Sequence, residues 1–137
     1  MKYLFDVAFL PSEKLKEHDC RLVVDLLRAS TQITTFFDIG GEVLLPATEV
    51  AAAMELKDQL GSDWKLMGER GGLIVPGFDF GNSPLELSQN GGAQNAIITT
   101  SNGTSALMRA ASDCAEAADG RAASGGAAEL SVYISFV

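Results

Sequence analysis

The chain has 137 residues, of which 47% are hydrophobic and 20% charged, with 18 acids against 10 bases and a net charge of −8. That length and composition fit one globular domain with a real core and exclude a disordered chain. The acidic balance argues against nucleic acid and anionic membrane as partners, since both need basic surface, but not against a small anionic ligand held by a few local donors. No apolar stretch approaches the length needed to span a bilayer. The N-terminus is not a signal peptide, because Asp6 interrupts its short apolar run and no small-residue cleavage site follows. The expected location is therefore the cytoplasm. Cys20 and Cys114 lie far apart without metal-type spacing and read as reduced thiols.

Residues 2–9 are apolar and aromatic and predict a first strand. Ser12 follows Pro11 as a helix N-cap. His18, the only histidine, sits in a charged run and reads as surface. Residues 21–25, Arg-Leu-Val-Val-Asp, predict a buried parallel strand ending in a carboxylate. Ser30 and Thr31 are N-cap candidates for a helix carrying Ile33, Phe36 and Phe37, stopped by Gly40 and Gly41. Residues 42–45 predict a strand closed by Pro46. Thr48 then caps a helix running to Leu60, with Val50, Met54 and Leu60 facing inward and Gly61 as the stop. Residues 64–67 are the next strand and lead into a long segment, residues 68–84. Asn90-Gly91-Gly92 is a turn, residues 94–100 hold another inner strand, and residues 105–118 are a helical run. Residues 115–128 are low-complexity Ala, Gly, Asp, Glu and Ser, and residues 129–137 alternate as a final strand. Two regions are expected: an α/β domain over residues 1–114 and the Ala/Gly-rich segment with its terminal strand over 115–137.

Residues 68–84 hold five of the 14 glycines and two of the four prolines, together with Glu69, Arg70, Asp79, Asn82 and Ser83. The segment lacks long apolar periodicity and reads as a functional loop, not a buried regular element. Two further polar loops share one arrangement, an inner strand followed by polar residues and a helix start. One runs from Asp25 through Arg28 to Thr31; the other is Thr99-Thr100-Ser101-Asn102-Gly103-Thr104. In an open α/β sheet all three fall at the C-terminal strand edge, where ligands bind. The first also fits a plain strand–loop–helix turn in which Arg28 pairs with Asp25, and the last an ordinary N-cap. The fold class is accordingly α/β, a three-layer α/β/α arrangement with a mostly parallel or mixed sheet.

The chemistry narrows by residue type. No Gly-x-x-x-x-Gly-Lys-Ser/Thr and no Gly-x-Gly-x-x-Gly occurs, which argues against a nucleotide-using transferase. A Ser-His-Asp triad and a zinc site lack the histidines and cysteines they need. Carboxylates from Asp25, Glu69 and Asp79 suit Mg²⁺, while arginine and loop N–H groups suit phosphate, sulfonate or carboxylate. That set suits metal-assisted phosphoryl transfer to water.

Val-Val-Asp-Leu-Leu-Arg-Ala-Ser-Thr (23–31), Gly-Glu-Arg-Gly-Gly (68–72), Gly-Phe-Asp-Phe-Gly-Asn-Ser-Pro (77–84) and Thr-Thr-Ser-Asn-Gly-Thr (99–104) resemble the 2-phosphosulfolactate phosphatase family. The match covers roughly residues 1 to 110. The resemblance implies an Mg²⁺-dependent phosphatase that hydrolyses 2-phospho-3-sulfolactate or a related phosphorylated 2-hydroxy acid, a step that belongs to coenzyme M biosynthesis in methanogens. It implies that Asp25, Glu69 and Asp79 hold Mg²⁺ and orient the attacking water. Arg28, Arg70, Gly71, Gly103 and the helix starts at Ser30, Thr31 and Ser101 would bind the anionic groups, and Asn82, Ser83, Asn102 and Thr104 the substrate oxygens. Family members are much longer, and their later polar motifs are absent from this sequence. The expectation is an incomplete version of the family fold, either active as a phosphatase or acting as a non-catalytic anion-binding or regulatory fragment. An uncovered sheet edge makes a homo-oligomer the expected assembly.

Overall fold

The computed structural model of the chain describes residues 6–10, 12–14, 23–24 and 28–110. Their elements, in order, are α1 (Ala29–Asp38), β1 (Val43–Pro46), α2 (Val50–Leu60), β2 (Trp64–Arg70), β3 (Leu73–Ile74), α3 (Pro84–Gln89), β4 (Asn95–Thr99) and the helical residues 103–110, labelled α4. The four strands form one sheet in the order β1-β4-β2-β3. β4 lies between β1 and β2 and runs parallel to both, while β3 is antiparallel to β2 at the far edge.

A parallel strand buried on both faces carries a near-continuous apolar run, as Ala-Ile-Ile in β4 does; Val-Leu-Leu in the edge strand β1 is only partly covered. Alternate residues feed two cores. Met67, Ala96 and Ile98 pack with Phe36, Phe80 and Leu87 on one face, and Leu66 and Ile97 pack with Ala47, Ala53, Val75 and Phe78 on the other. Phe36 belongs to α1 and Leu87 to α3, whereas Ala53 belongs to α2, so helices cover both faces and the three-layer α/β/α architecture follows.

Several local expectations are corrected. Residues 68–84 are not one irregular loop. β2 continues through Arg70, turns at Gly71-Gly72 and returns as β3, with Glu69 opposite Ile74 and Arg70 opposite Leu73. A two-residue Gly-Gly connection with φ of 59° and 83° is the turn a tight hairpin demands. The segment then runs beside β2 again, through a parallel bridge from Phe80 to Met67, before α3 begins. α3 itself was not expected. Ser83 accepts a hydrogen bond from the Glu86 N–H at its start, and Pro84 occupies the first turn.

Ser30 and Thr31 lie inside the first turn of α1, with Arg28 at the N-cap position. Thr48 does not cap α2, whose N-cap position is Glu49. Val50 packs inward as expected, but Met54 and Leu60 are exposed, and the other inward positions of α2 are Ala53 and Leu56. The helix turns Val50, Ala53 and Leu56 onto the sheet, a stripe that a purely apolar count does not identify in full. Phe37 faces solvent, where its ring packs edge-on against that of the buried Phe36. Residues 6–9 and 23–24 are not strand, and Val24 is exposed. Neither segment pairs with an edge of the sheet, so apolar character alone did not make them strands. The remainder of those two expected strands, His18, Cys20, Asp25, Cys114 and the 115–137 region lie outside the described residues. Among the described residues, no helix is long and apolar enough to cross a membrane.

Candidate active site

The ends of β1, β2 and β4 converge at one edge of the sheet. Gly68 lets them approach. Its φ is +150°, and a Cβ there would stand 1.9 Å from the Thr99 carbonyl oxygen. Only glycine permits that contact between the β2 and β4 backbones. The next two residues, Glu69 and Arg70, tie the strand ends together.

Glu69 is buried. Its Oε1 accepts from the Ser101 N–H at 2.8 Å, and its Oε2 accepts from the Gly72 N–H at 2.7 Å and the Ser101 hydroxyl at 3.2 Å. The Ser101 Oγ also receives the Gly71 N–H at 3.4 Å. Burial works to raise the Glu69 pKa. The Ser101 and Gly72 amides, the Ser101 hydroxyl and the Arg70 charge together outweigh it, and the carboxyl lies below its ordinary value. Glu69 is thus an ionised brace between the β2–β3 hairpin and the loop after β4.

Arg70 stitches the same edge from the adjacent position. Its Nη1 donates to the Glu69 carbonyl at 2.8 Å, and its Nη2 donates to the Thr48 carbonyl at 3.0 Å and the Thr99 hydroxyl at 2.8 Å. One guanidinium therefore joins the segment after β1 to the ends of β2 and β4.

The start of α4 is closed in a similar way. The Thr100 Oγ1 accepts from the Thr104 N–H at 3.1 Å, and the Thr104 Oγ1 accepts from the Thr100 N–H at 3.2 Å while donating to the Thr100 carbonyl at 3.0 Å. Thr104 is fully buried and serves this box. Gly103 is the first helical residue and is buried, while Ser101 and Asn102 remain exposed.

Arg28 completes the cluster. It is exposed, its guanidinium forms no hydrogen bond or ion pair with the other described residues, and its Nη2 would stand 3.6 Å from a Cβ on Gly72. The structure thus brings Arg28, Glu69, Arg70, Gly71, Ser101, Asn102, Gly103 and Thr104 to one edge. Ser30 and Thr31 follow Arg28 in the first turn of α1, where the Ser30 carbonyl accepts from the Thr34 hydroxyl at 3.1 Å.

Asp79 does not join them. Its Oδ1 pairs with the Lys65 Nζ at 3.0 Å and its Oδ2 accepts from the Leu66 N–H at 2.9 Å. Leu66 lies three residues before Glu69 on β2, about 10 Å away along the strand. Asp79 is a brace for the segment returning beside β2. Its pKa is lowered because the Leu66 amide and the Lys65 and Lys57 ammonium groups outweigh the effect of burial.

Ser83 caps α3. Asn82 is 8% exposed, and its Oδ1 has no donor among the described residues. Gln32, not anticipated from the sequence, is fully buried in α1. Its Nε2 donates to the Gly81 carbonyl at 3.3 Å, and its Oε1 has no donor among the described residues. The signal for it was an amide on the helix stripe that also carries Phe36, one turn after Arg28. A ligand N–H or O–H reaching either oxygen would gain a bond otherwise unmade.

The expected three-carboxylate Mg²⁺ site does not fit the described residues. Both Glu69 oxygens are taken by N–H and O–H donors, Asp79 is bound to an ammonium, and no group of three or more His, Cys, Asp or Glu gathers among the described residues. Asp25, the third expected ligand, lies outside them.

The comparisons with known proteins converge. The family described as 2-phosphosulpholactate phosphatase matches residues 7–118. A probable 2-phosphosulfolactate phosphatase of Carboxydothermus hydrogenoformans is 45% identical over 109 residues, 78% of this chain and 44% of that protein. Proteins of the same description from Deinococcus radiodurans and Thermus thermophilus are 46% and 41% identical, covering 68% and 77% of this chain and 39% and 44% of their own lengths. The chain therefore spans less than half the length of these curated relatives. With the family match covering most of the chain and relatives above 40% identity, the chain belongs to the 2-phosphosulpholactate phosphatase family.

Proposed function

We propose that the chain is, or forms part of, a phosphoric monoester hydrolase that acts on 2-phospho-3-sulfolactate or a related phosphorylated 2-hydroxy acid. The observation that carries this reading is Arg28, an exposed guanidinium without a partner among the described residues, held beside the Gly71-Gly72 turn at a braced strand edge. Such a group supplies a forked cation to a phosphate, carboxylate or sulfonate. Arg70 has two N–H donors beyond those it commits, and the exposed Asn102 amide stands at the start of α4, whose dipole favours an anion. Mg²⁺ dependence belongs to the proposal through the family resemblance. Its ligands would not be Glu69 and Asp79 together, and no step is assigned to the ion. The acidic net charge supports a soluble, cytoplasmic setting without a nucleic-acid partner, and exposed apolar residues at the β3 edge support self-association.

A second reading, anion binding without turnover, is favoured by one observation. Glu69 and Asp79 are both committed to internal donors, so neither stands free as a base. One set of measurements separates the two. Phosphate release from 2-phospho-3-sulfolactate is followed with and without EDTA, beside inorganic phosphate binding, for the unaltered chain and for Arg28→Ala. The proposal expects EDTA-sensitive release that falls at least about ten-fold in Arg28→Ala, the scale of one charge-assisted bond pair, with thermal unfolding unchanged. Binding that is lost in Arg28→Ala, with no release by the unaltered chain at high protein concentration, selects the second reading.

A further inference from the structure

We infer that Glu69 is a positioning residue. It sets the spacing of the anion-binding edge and takes no part in proton transfer or metal ligation. This inference rests on the reading of the edge as a phosphate-ester site and says how that site is held. A carboxylate acting as a base must present an oxygen to the reacting water. Glu69 instead faces inward, with Oε1 on the Ser101 N–H and Oε2 on the Gly72 N–H and the Ser101 hydroxyl.

Those donors come from two different loops. Gly72 belongs to the hairpin turn beside Arg28, and Ser101 to the loop that opens α4. The Gly71 N–H adds a second link between them through the Ser101 oxygen. The carboxylate therefore fixes the distance between the arginine wall and the helix-start wall. Both loops need such a tie. The turn is two glycines with left-handed φ, and Ser101 lies between the end of β4 and the start of α4. The charge on Glu69 is balanced from its own strand by Arg70, which is anchored to Thr48 and Thr99, so the brace does not draw on the charge of Arg28, whose guanidinium has no partner among the described residues.

The test is Glu69→Gln, read first in the protein without substrate. An amide side chain has one acceptor oxygen and cannot serve the Gly72 and Ser101 N–H groups together. Amide hydrogen exchange at Gly72 or Ser101 is expected to quicken by about ten-fold or more. Inorganic phosphate binding, and KM where turnover is measurable, should weaken by a similar factor, while kcat keeps the shape of its pH profile. Exchange at both amides and phosphate affinity equal to those of the unaltered chain, together with loss of turnover, would overturn the inference and give Glu69 a chemical role. If the variant does not fold, Ser101→Ala removes only the hydroxyl links to Oε2 and Gly71. It should quicken exchange at Gly71 and weaken phosphate binding, and unchanged exchange and binding in it would equally overturn the inference. Should the unaltered chain release no phosphate while Glu69→Gln still loosens both loops, the phosphatase reading fails and the positioning role stands.

Discussion

Asp79 shows how little a residue's type says about its task. Its carboxylate stands in a Gly-Phe-Asp-Phe-Gly run that points to chemistry, yet both oxygens are spent joining the returning segment to Lys65 and Leu66 on β2. The pH consequence has a definite sign. The folded pKa lies below the ordinary carboxylate value, so the contribution is present above the unfolded pKa and is lost as pH falls through the folded one. Urea unfolding of the unaltered chain and of Asp79→Asn should show the variant as the less stable at neutral pH, with the difference shrinking in the acid range. A gap that stayed constant from neutral to strongly acid pH would refute this. The side chains of the pair remain 31% and 43% exposed, so the effect is modest and falls with salt. The same lesson covers Glu69 and Ser101. Their presence at the edge was legible in the sequence, but that each would satisfy the other depends on where β2 and β4 end relative to one another, which no local pattern encodes.

The strand β2 does more than its length suggests, because its last three residues, Gly68, Glu69 and Arg70, close the sheet edge. Gly68 is the precondition. It lies opposite Thr99 in the parallel register with β4, at a φ that L side chains rarely adopt. Gly68→Ala is expected to force β2 and β4 apart at their ends and to destabilise the chain by about 3 kcal/mol or more, the scale of strained backbone combined with overpacking. Urea unfolding measures it, and a loss below about 1 kcal/mol would show that the edge yields without cost. Strand and helix existence was largely readable from apolar runs and stops: β1, β4, α1 and α2 fall where the sequence puts them. The hairpin was missed although Gly71-Gly72 sits between Glu69-Arg70 and Leu73-Ile74, because β3 is two residues long and exposed and offers no alternation to detect. Helix α3 was missed although Ser83-Pro84-Leu85-Glu86 is a start signal, because six residues are too few for a periodic stripe.

At the level of the whole molecule, the central strand β4 is covered on both faces and paired on both sides, whereas the edges are left to β1 and β3 among the described residues. The two edges differ. β1 ends in Pro46, which has no N–H to offer a neighbour and so blunts that side. β3 is too short to template a long ladder, but it presents Leu73 at 75% exposure and Ile74 at 47%, with Leu85 of α3 also exposed at 65%. Exposed large apolar side chains at a sheet edge favour burial against a second copy, and the absence of charge on β3 itself leaves nothing to oppose it. Sedimentation velocity should therefore show an average mass that rises with protein concentration above the monomer value. Leu73→Lys should shift the chain towards the monomer at every concentration, since a lysine on an edge strand is a device natural sheets use against pairing. Arg28, Glu69 and Ser101 lie before the hairpin strand or across the sheet from it, so the same variant should keep its affinity for inorganic phosphate. A monomeric unaltered chain across the micromolar to sub-millimolar range would show that the β3 edge is tolerated in water. Phosphate binding lost together with association would instead make the second copy a part of the anion site.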